Sequence, residues 1–140
     1  MSVVFWDTNL FIYLWEDFGK LSGQVLALRS RMLTRGDELL TSAMTLGEIL
    51  VKPIQSGDAK AVAYYQNLIA TTATVIPFAE KAAIVYARLR ADRSLRAPDT
   101  IQLACAAAAG TDLFITNDAR LHSMQIPGIQ FIVPLDRVPI

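Results

Sequence analysis

The chain has 140 residues, a length that suits one domain with a core large enough to be stable without disulfides or a structural metal. It carries 13 basic and 13 acidic side chains, and this formal net charge of zero argues against a protein that coats nucleic acid through charge alone. Hydrophobic residues make up 53% of the sequence, yet charged or polar residues interrupt each apolar run before the roughly 20 residues of a membrane span. We therefore expect a single domain over residues 1–140 that does not associate with a membrane.

The amino-terminal segment and the rare residue types exclude several further classes. The chain begins with neither a basic segment nor a cleavable apolar one, so a cytoplasmic location is expected. Cys105, the single cysteine, lies in an alanine-rich run and is expected to be a small buried residue, which leaves no disulfide framework and no thiolate metal cluster. His122, the single histidine, falls in a segment expected to form a short exposed helix. It has no evident nucleophile as a partner.

Apolar strands alternate with amphipathic helices along the chain. A buried strand over residues 3–6 ends at Asp7, and a helix from Leu10 to Trp15 follows, with Thr8 or Asn9 as its cap. Further strands are predicted over residues 39–41, 74–77, 113–116 and 131–133. The predicted helices between them cover residues 21–33, ended by Gly36; a segment opened by residues 45–48 and ended by Pro53; a segment from Asp58; and residues 82–89. A basic loop over 88–96 then leads to an alanine-rich helix from Pro98 to Gly110. This alternation predicts an α/β fold with three layers, α/β/α, around a parallel central sheet of about five strands.

Four acidic side chains stand near the carboxyl ends of strands or at the starts of helices. Asp7 and Asp118 follow apolar strands, Glu48 is expected in the first turn of a helix, and Asp99 in the first turn of the alanine-rich helix. Each has an ordinary alternative: Asp7 and Asp118 as helix caps, Glu48 as half of a capping box with Thr45, and Asp99 as a partner of the helix dipole. Apolar neighbours around these acids favour convergence at one edge of the sheet.

Converging carboxylates would need a cation, because like charges oppose full ionisation. A site built from carboxylates without histidine or cysteine favours Mg²⁺ or Mn²⁺ over Zn²⁺. Such ions bind phosphate oxygens and lower the pKa of a bound water, which can then attack phosphorus. The residues therefore point to metal-assisted phosphodiester hydrolysis.

Four segments resemble the acidic motifs of PIN domains: Phe5-Trp6-Asp7-Thr8-Asn9, residues 42–48, residues 97–104 and Ile115-Thr116-Asn117-Asp118. The whole chain is similar to the VapC toxins of bacterial and archaeal toxin–antitoxin pairs. The resemblance implies a PIN-like fold and a Mg²⁺- or Mn²⁺-dependent endoribonuclease that forms a homodimer and is neutralised by a small antitoxin.

The resemblance also implies roles for individual residues. It assigns the catalytic acidic cluster to Asp7, Glu48, Asp99 and Asp118 and a supporting hydroxyl to Thr116. Our leading hypothesis takes Asp7 and Asp99 as the main metal ligands, Asp118 as a ligand directly or through water, and Glu48 as the residue that orients a metal-bound water, with Asn9 also in support. Four arginines close to Asp99 are candidates for contacts with RNA phosphates, although charge runs are commonly just solvated surface; they are Arg88, Arg90, Arg93 and Arg96.

Two other functions can be formulated from the residues. A catalytically inactive interaction module would use the aromatic side chains of the predicted helices, whose ordinary role is packing in the core or a dimer; they are Tyr13, Trp15, Tyr64 and Tyr65. A phosphatase with Asp7 as nucleophile is disfavoured, because Asn9 stands where a second acid is often needed. No glycine-rich nucleotide-binding motif occurs.

Overall fold

A computed structural model describes all 140 residues and contains one five-stranded sheet flanked by helices. The strands are β1 (Val3–Trp6), β2 (Glu38–Ser42), β3 (Thr74–Ile76), β4 (Thr111–Ile115) and β5 (Ile129–Val133). The helices are α1 (Thr8–Trp15), α2 (Lys20–Arg35), α3 (Ala43–Gln55), α4 (Ala59–Thr72), α5 (Glu80–Leu89) and α6 (Ala97–Ala109), with short 3₁₀ turns at Ala119–Leu121 and Leu135–Arg137. No helix combines the length and the apolar character that crossing a membrane requires.

Every strand pair is parallel, and the strand order is β3-β2-β1-β4-β5. The chain builds the sheet outward from β1 through β2 to β3, and then returns to place β4 on the other side of β1. In parallel sheets, ligands bind outside the carboxyl ends of the strands where the direction of building reverses. That position lies between β1 and β4, where Trp6 pairs with Ile115. Asp7 and Thr116 directly follow these residues.

Buried side chains on both faces of the sheet form two apolar cores. On one face, Phe5 and Phe114 stack with their ring centroids 5.1 Å apart and pack with α6 residues such as Leu103. On the other face, Trp6 packs with residues of α1 and α2, including Phe11 and Leu28. Helical layers on both faces of a five-stranded parallel sheet confirm the predicted α/β/α fold.

The start of α1 differs from the prediction. Asp7 is the cap, because its Oδ1 accepts a hydrogen bond from the backbone N–H of Thr8 at 2.8 Å, and the helix begins at Thr8. The prediction that Thr8 or Asn9 caps the helix was therefore wrong. Capping places the Asp7 carboxylate against the first turn of α1 rather than away from the protein.

Both ends of α3 also differ from the prediction. Ser42 caps the helix through a hydrogen bond from Met44 N–H to its Oγ at 3.1 Å, so α3 begins at Ala43. Glu48 consequently lies in the second turn and forms no capping box with Thr45. The helix also continues past Pro53 to Gln55. A proline in the last turn removes only one helical hydrogen bond, which that end of the helix tolerates.

Candidate active site

Asp7 directly follows β1 and is largely buried at the carboxyl edge of the sheet. Its Oδ1 accepts from Thr8 N–H, and its Oδ2 accepts from Thr116 Oγ1 at 2.8 Å. Burial raises the pKa of the Asp7 carboxyl, and repulsion from Asp99 and Asp118 adds to this effect, while the two hydrogen bonds oppose it. No arginine or lysine forms an ion pair with Asp7. Asp7 is thus a largely buried carboxylate that lacks a cationic partner.

Glu48 approaches the same edge from α3. The Thr8 hydroxyl donates to Glu48 Oε1 at 2.7 Å, so one residue contacts both Asp7 and Glu48. Desolvation of the carboxyl raises the pKa of Glu48, and repulsion from Asp7 and Asp99 acts in the same direction. Glu48 also lacks an ion-pair partner within 4.0 Å.

Asp99 and Asp118 share two arginines. Arg96 Nε lies 3.0 Å from Asp99 Oδ2, and its terminal nitrogen lies 3.9 Å from Asp118 Oδ2. Arg120 donates hydrogen bonds to Asp118 from two guanidinium nitrogens, and one of these nitrogens also lies 3.6 Å from Asp99 Oδ2. The hydrogen bond from Arg120 is the main reason why the pKa of Asp118 falls below its usual value. Both arginine side chains are more than half exposed, at 63% and 57%, so they cover the acids from the solvent side.

The structure therefore places all four predicted acids around one edge, connected by shared partners. Thr8 joins Asp7 to Glu48, Thr116 joins Asp7 to the Asp118 backbone, and the arginines join Asp118 to Asp99. In this arrangement, no group of three acidic, histidine or cysteine side chains is assembled to hold a metal ion. The cap alternatives for Asp7 and Asp118 are correct as well, since each accepts from a backbone N–H at the start of a helical turn.

The two supporting residues have different surroundings. Thr116 is fully buried; its hydroxyl donates to Asp7 and accepts from Asp118 N–H at 3.0 Å. Asn9 lies on the exposed side of α1 and forms no hydrogen bond with the acids. Asn117 has a structural contact, because its Oδ1 accepts from Leu135 N–H at 3.0 Å.

Of the four arginines considered for RNA contacts, only Arg96 contacts the acids. Arg90 donates to the Leu95 carbonyl at 2.8 Å, while Arg88 and Arg93 are exposed and make no recorded side-chain hydrogen bond or ion pair. Sequence reasoning missed Arg120, although its position two residues after Asp118 is a usable signal for a side chain that turns back to that acid.

The prediction that His122 lies in an exposed helix was wrong, and a group of buried polar residues was missed. His122 lies just after the 3₁₀ turn and is half-buried rather than exposed, because its Nε2 hydrogen-bonds the Thr116 carbonyl at 2.7 Å. Beneath Thr8, several polar side chains are sequestered from solvent; they are Thr41, Ser42, Thr45 and Gln102. A glutamine within the alanine-rich helix was the signal that could have revealed them.

An open groove of about 600 Å³ runs beside the site. Its lining is largely apolar and comes from α1, α3 and α4, and it includes Tyr13, Trp15, Phe18, Val51 and Tyr65. Glu48 also lines it, so the groove ends at the acidic cluster. Tyr64, considered earlier with these aromatics, is more than half exposed and packs edge-on against Tyr65.

Comparison with known protein families decides the family. The model of the PIN domain matches residues 4–126. The chain belongs to the PIN domain family. Residues 4–126 include all four acids and Arg120, so this PIN domain carries the complete cluster described above. A search of curated proteins found no match.

The fold of this PIN domain is similar to that of chains in solved structures of toxin–antitoxin proteins. A chain of VapBC2 from Rickettsia felis, bound to a DNA fragment from its promoter, aligns with a TM-score of 0.73 at 15% identity, over 94% of this chain and 98% of that one. A chain of DNA-bound VapBC from Salmonella typhimurium aligns with a TM-score of 0.66 at 21% identity, over 96% and 99%. VapBC-5 from Mycobacterium tuberculosis gives a TM-score of 0.61 at 19% identity, over 96% and 99%. At these identities the likeness establishes the shared fold.

Proposed function

We propose that this PIN domain, a single domain over residues 1–140, is a metal-dependent endoribonuclease that acts as the toxin of a type II, VapC-type toxin–antitoxin pair. The observation that carries the proposal is Asp7: a largely buried carboxylate with raised pKa, no cationic partner, and two further acids close enough to repel it. Keeping such a group charged is costly unless a cation binds. The family and the fold of the aligned toxin–antitoxin components support the same function.

Mg²⁺ or Mn²⁺ is the cofactor that suits these residues. The donors at this edge are all carboxylates, and hard divalent cations bind oxygen ligands. When bound, such an ion supplies Lewis acidity toward phosphate oxygens and makes water a stronger nucleophile at neutral pH. Asp7, Asp99 and Asp118 would hold it, and Arg96 and Arg120 would have to release the last two acids.

The remaining residues of the cluster then have distinct roles. Glu48 has one oxygen held by the Thr8 hydroxyl, which leaves the other free to orient the attacking water. Arg96 and Arg120, once released, carry exposed guanidinium groups that can pair with RNA phosphates in a two-pronged geometry. Thr116 keeps Asp7 in place. Arg88, Arg90 and Arg93 would extend the basic surface for RNA, and Asn9 would support the site from its rim.

A small antitoxin is the proposed protein partner, and a homodimer is the proposed toxin assembly in the cytoplasm. The apolar groove that ends at Glu48 supports the antitoxin, because a segment bound there would also block the acids. The aligned solved structures are themselves named as complexes of VapBC or as a toxin–antitoxin complex.

The first test is RNA cleavage by the purified, partner-free protein with Mg²⁺. We expect discrete new 5′ ends in total RNA, and we expect Asp99→Asn and chelation each to abolish them. Asp58→Asn is the matched control, because Asp58 caps α4 and asparagine caps helices equally well. Cleavage that persists in Asp99→Asn with unchanged circular dichroism would contradict the assignment of the site.

A catalytically inactive interaction module is the second candidate function. The arginines paired to Asp99 and Asp118, together with the absence of an assembled three-ligand group, favour it. Titration calorimetry with Mn²⁺ separates the two functions. Binding that Asp7→Asn abolishes supports the enzyme, whereas no heat of binding in either protein supports the module.

A further inference from the structure

A closed hydrogen-bond network lies beneath Thr8 and joins α6 to α1 and α3. Gln102 is 2% exposed, and its Nε2 donates to Thr8 Oγ1 at 3.0 Å and to Thr45 Oγ1 at 2.8 Å. Its Oε1 accepts from the Ser42 hydroxyl. The three hydroxyl groups that the Gln102 amide binds through its two N–H hydrogens and its oxygen are all buried, so the loss of any one partner would be costly.

The hydrogens in this network can be assigned by counting donors. Ser42 Oγ already accepts from Met44 N–H, so its single hydrogen is available for Gln102 Oε1. In the opposite orientation an amide N–H would face this hydrogen, so the amide has its two N–H groups toward the threonines. Thr41, the remaining member, donates to Thr45 Oγ1 at 2.8 Å, and its hydroxyl also lies within hydrogen-bond distance of the Trp6 carbonyl, at 3.0 Å.

This assignment determines where the hydroxyl hydrogen of Thr8 points. Its oxygen accepts from Gln102, so its own hydrogen cannot point toward the amide nitrogen. The acceptor that remains at short range is Glu48 Oε1 at 2.7 Å, closer than Thr45 Oγ1 at 3.1 Å. The opposite amide orientation would present an oxygen to Thr8 and draw that hydrogen away from Glu48.

We propose that Gln102 is a positioning residue, whose buried amide directs the Thr8 hydroxyl toward Glu48 and so fixes the direction in which the Glu48 carboxylate points. Gln102 touches neither the acids nor any substrate. It acts through Thr8 from one helical turn below Asp99. This inference rests on the proposed function, because it takes Glu48 as the residue that orients the attacking water.

The test compares Gln102→Met, Thr8→Val, Thr8→Ser and the double variant Thr8→Val/Gln102→Met on the RNA site found by 5′-end mapping. We expect kcat to fall at least about tenfold in Gln102→Met and Thr8→Val with KM nearly unchanged, because the water is bound but badly oriented. Thr8→Ser should restore most of kcat, since it keeps the hydroxyl. The double variant should be no slower than Thr8→Val, because Gln102 acts through Thr8.

Thr111→Val is the matched control for loss of a buried hydroxyl. Thr111 is 2% exposed and bonds the Ala106 carbonyl at the opposite edge of the sheet, so this variant should lose stability while keeping kcat. A wild-type kcat in Gln102→Met or in Thr8→Val would overturn the proposal. So would losses that multiply in the double variant, and Thr8→Val keeps the test available if Gln102→Met does not fold.

Crystal structures of the wild type and of Gln102→Met give a readout that does not depend on activity. We expect the Thr8 Oγ1 to Glu48 Oε1 hydrogen bond to be present in the wild type and lost in the variant, with Thr8 turned toward Thr45. An unchanged hydrogen bond in the variant would overturn the positioning role. If the wild type cleaves no RNA, the proposed nuclease function fails, and this comparison still decides whether Gln102 directs Glu48.

Discussion

At the scale of single residues, the arginines at the site act as internal counter-ions. Arg120 contacts both Asp118 and Asp99, the positions proposed to receive a divalent cation. Two positive groups cannot occupy the same side of a carboxylate without cost, so metal binding has to displace this guanidinium. The two arginines thereby limit repulsion between Asp99 and Asp118 when no cation is bound.

Arg120→Gln should therefore bind Mn²⁺ more tightly than the wild type. Removing one competing ion pair at an exposed site should make the free energy of Mn²⁺ binding more favourable by about 1 kcal/mol, which lowers Kd several-fold. Titration calorimetry measures this directly. Arg93→Gln is the control, because Arg93 is exposed on the loop before α6 and contacts no acid. Equal or weaker Mn²⁺ binding in Arg120→Gln would contradict the competition.

The lowered pKa of the Asp37 carboxyl, far from the site, leads to a prediction of how the free energy of unfolding depends on pH. Burial alone raises its pKa, but hydrogen bonds from Arg35 at 2.8 Å and from the Ser2 N–H at 2.7 Å outweigh burial and lower it. A lowered pKa in the folded state means that the charged form stabilises the fold above the unfolded pKa, near 3.8, and that this stability disappears as the pH falls through the folded pKa.

Asp37→Asn should thus be less stable than the wild type at pH 7 by about 1 kcal/mol, the scale of a charge-assisted hydrogen bond with a partly exposed partner. The difference should shrink below about pH 4 as Asp37 of the wild type becomes protonated. Urea denaturation at a series of pH values measures it. A difference that stays constant from pH 7 to pH 3 would contradict the charged role of Asp37.

Single residues also show what the sequence could predict at the site. Asp7 was located correctly because it directly follows a buried apolar strand in a parallel sheet. Arg120 and Gln102 were missed because their roles come from contacts between elements: Arg120 reaches α6, and Gln102 reaches residues near positions 8 and 45. Sequence spacing alone does not encode such contacts.

At the scale of elements, the packing of α6 against the turn before β5 depends on Gly128. Its φ is +98°, and a Cβ at this position would lie 2.5 Å from the Ala107 carbonyl oxygen. Gly128→Ala should destabilise the protein by about 2 kcal/mol or more, since it combines backbone strain with a steric clash.

Gly23→Ala is the matched substitution for this prediction. Gly23 lies within α2, and an added Cβ meets no atom within 4 Å. The change should raise stability by about 1 kcal/mol, the difference in helix propensity between glycine and alanine. The two free energies of unfolding, measured in urea, should therefore have opposite signs.

Element boundaries were the part of the fold that sequence reasoning placed least well. The strands and their parallel orientation followed from apolar runs that alternate with helices, whereas the strand order was not predicted. The start of α3 did not, because the predicted strand ended at Thr41 and the predicted helix opened at residues 45–48, whereas Ser42 ends β2 and its side chain caps the following helix. One residue serves both elements, so hydrophobic periodicity alone could not separate them.

At the scale of the whole molecule, a bound cation should connect the stability of β1, α6 and the loop after β4. Mn²⁺ at about 100 times its Kd should stabilise the folded protein by roughly 2.7 kcal/mol. Asp7→Asn should unfold at a higher temperature than the wild type without metal, because it removes a buried charge, and should gain nothing from Mn²⁺.

Differential scanning calorimetry with and without Mn²⁺ tests this prediction, with Asp58→Asn as the control that should respond like the wild type. A Mn²⁺-induced rise in Tm of the same size in Asp7→Asn would place the cation elsewhere. An unchanged Tm in the wild type would favour the interaction module.

The order of the strands has a consequence for synthesis of the protein. β1 is made first but reaches its place beside β4 only after more than 100 further residues have been added. Asp7 and Asp118 are therefore 111 positions apart in the sequence, and no fragment shorter than residues 7–118 contains all four acids. Until Asp118 has been translated, the nascent chain lacks a complete acidic cluster, so the proposed nuclease could not become competent before that point of its own synthesis.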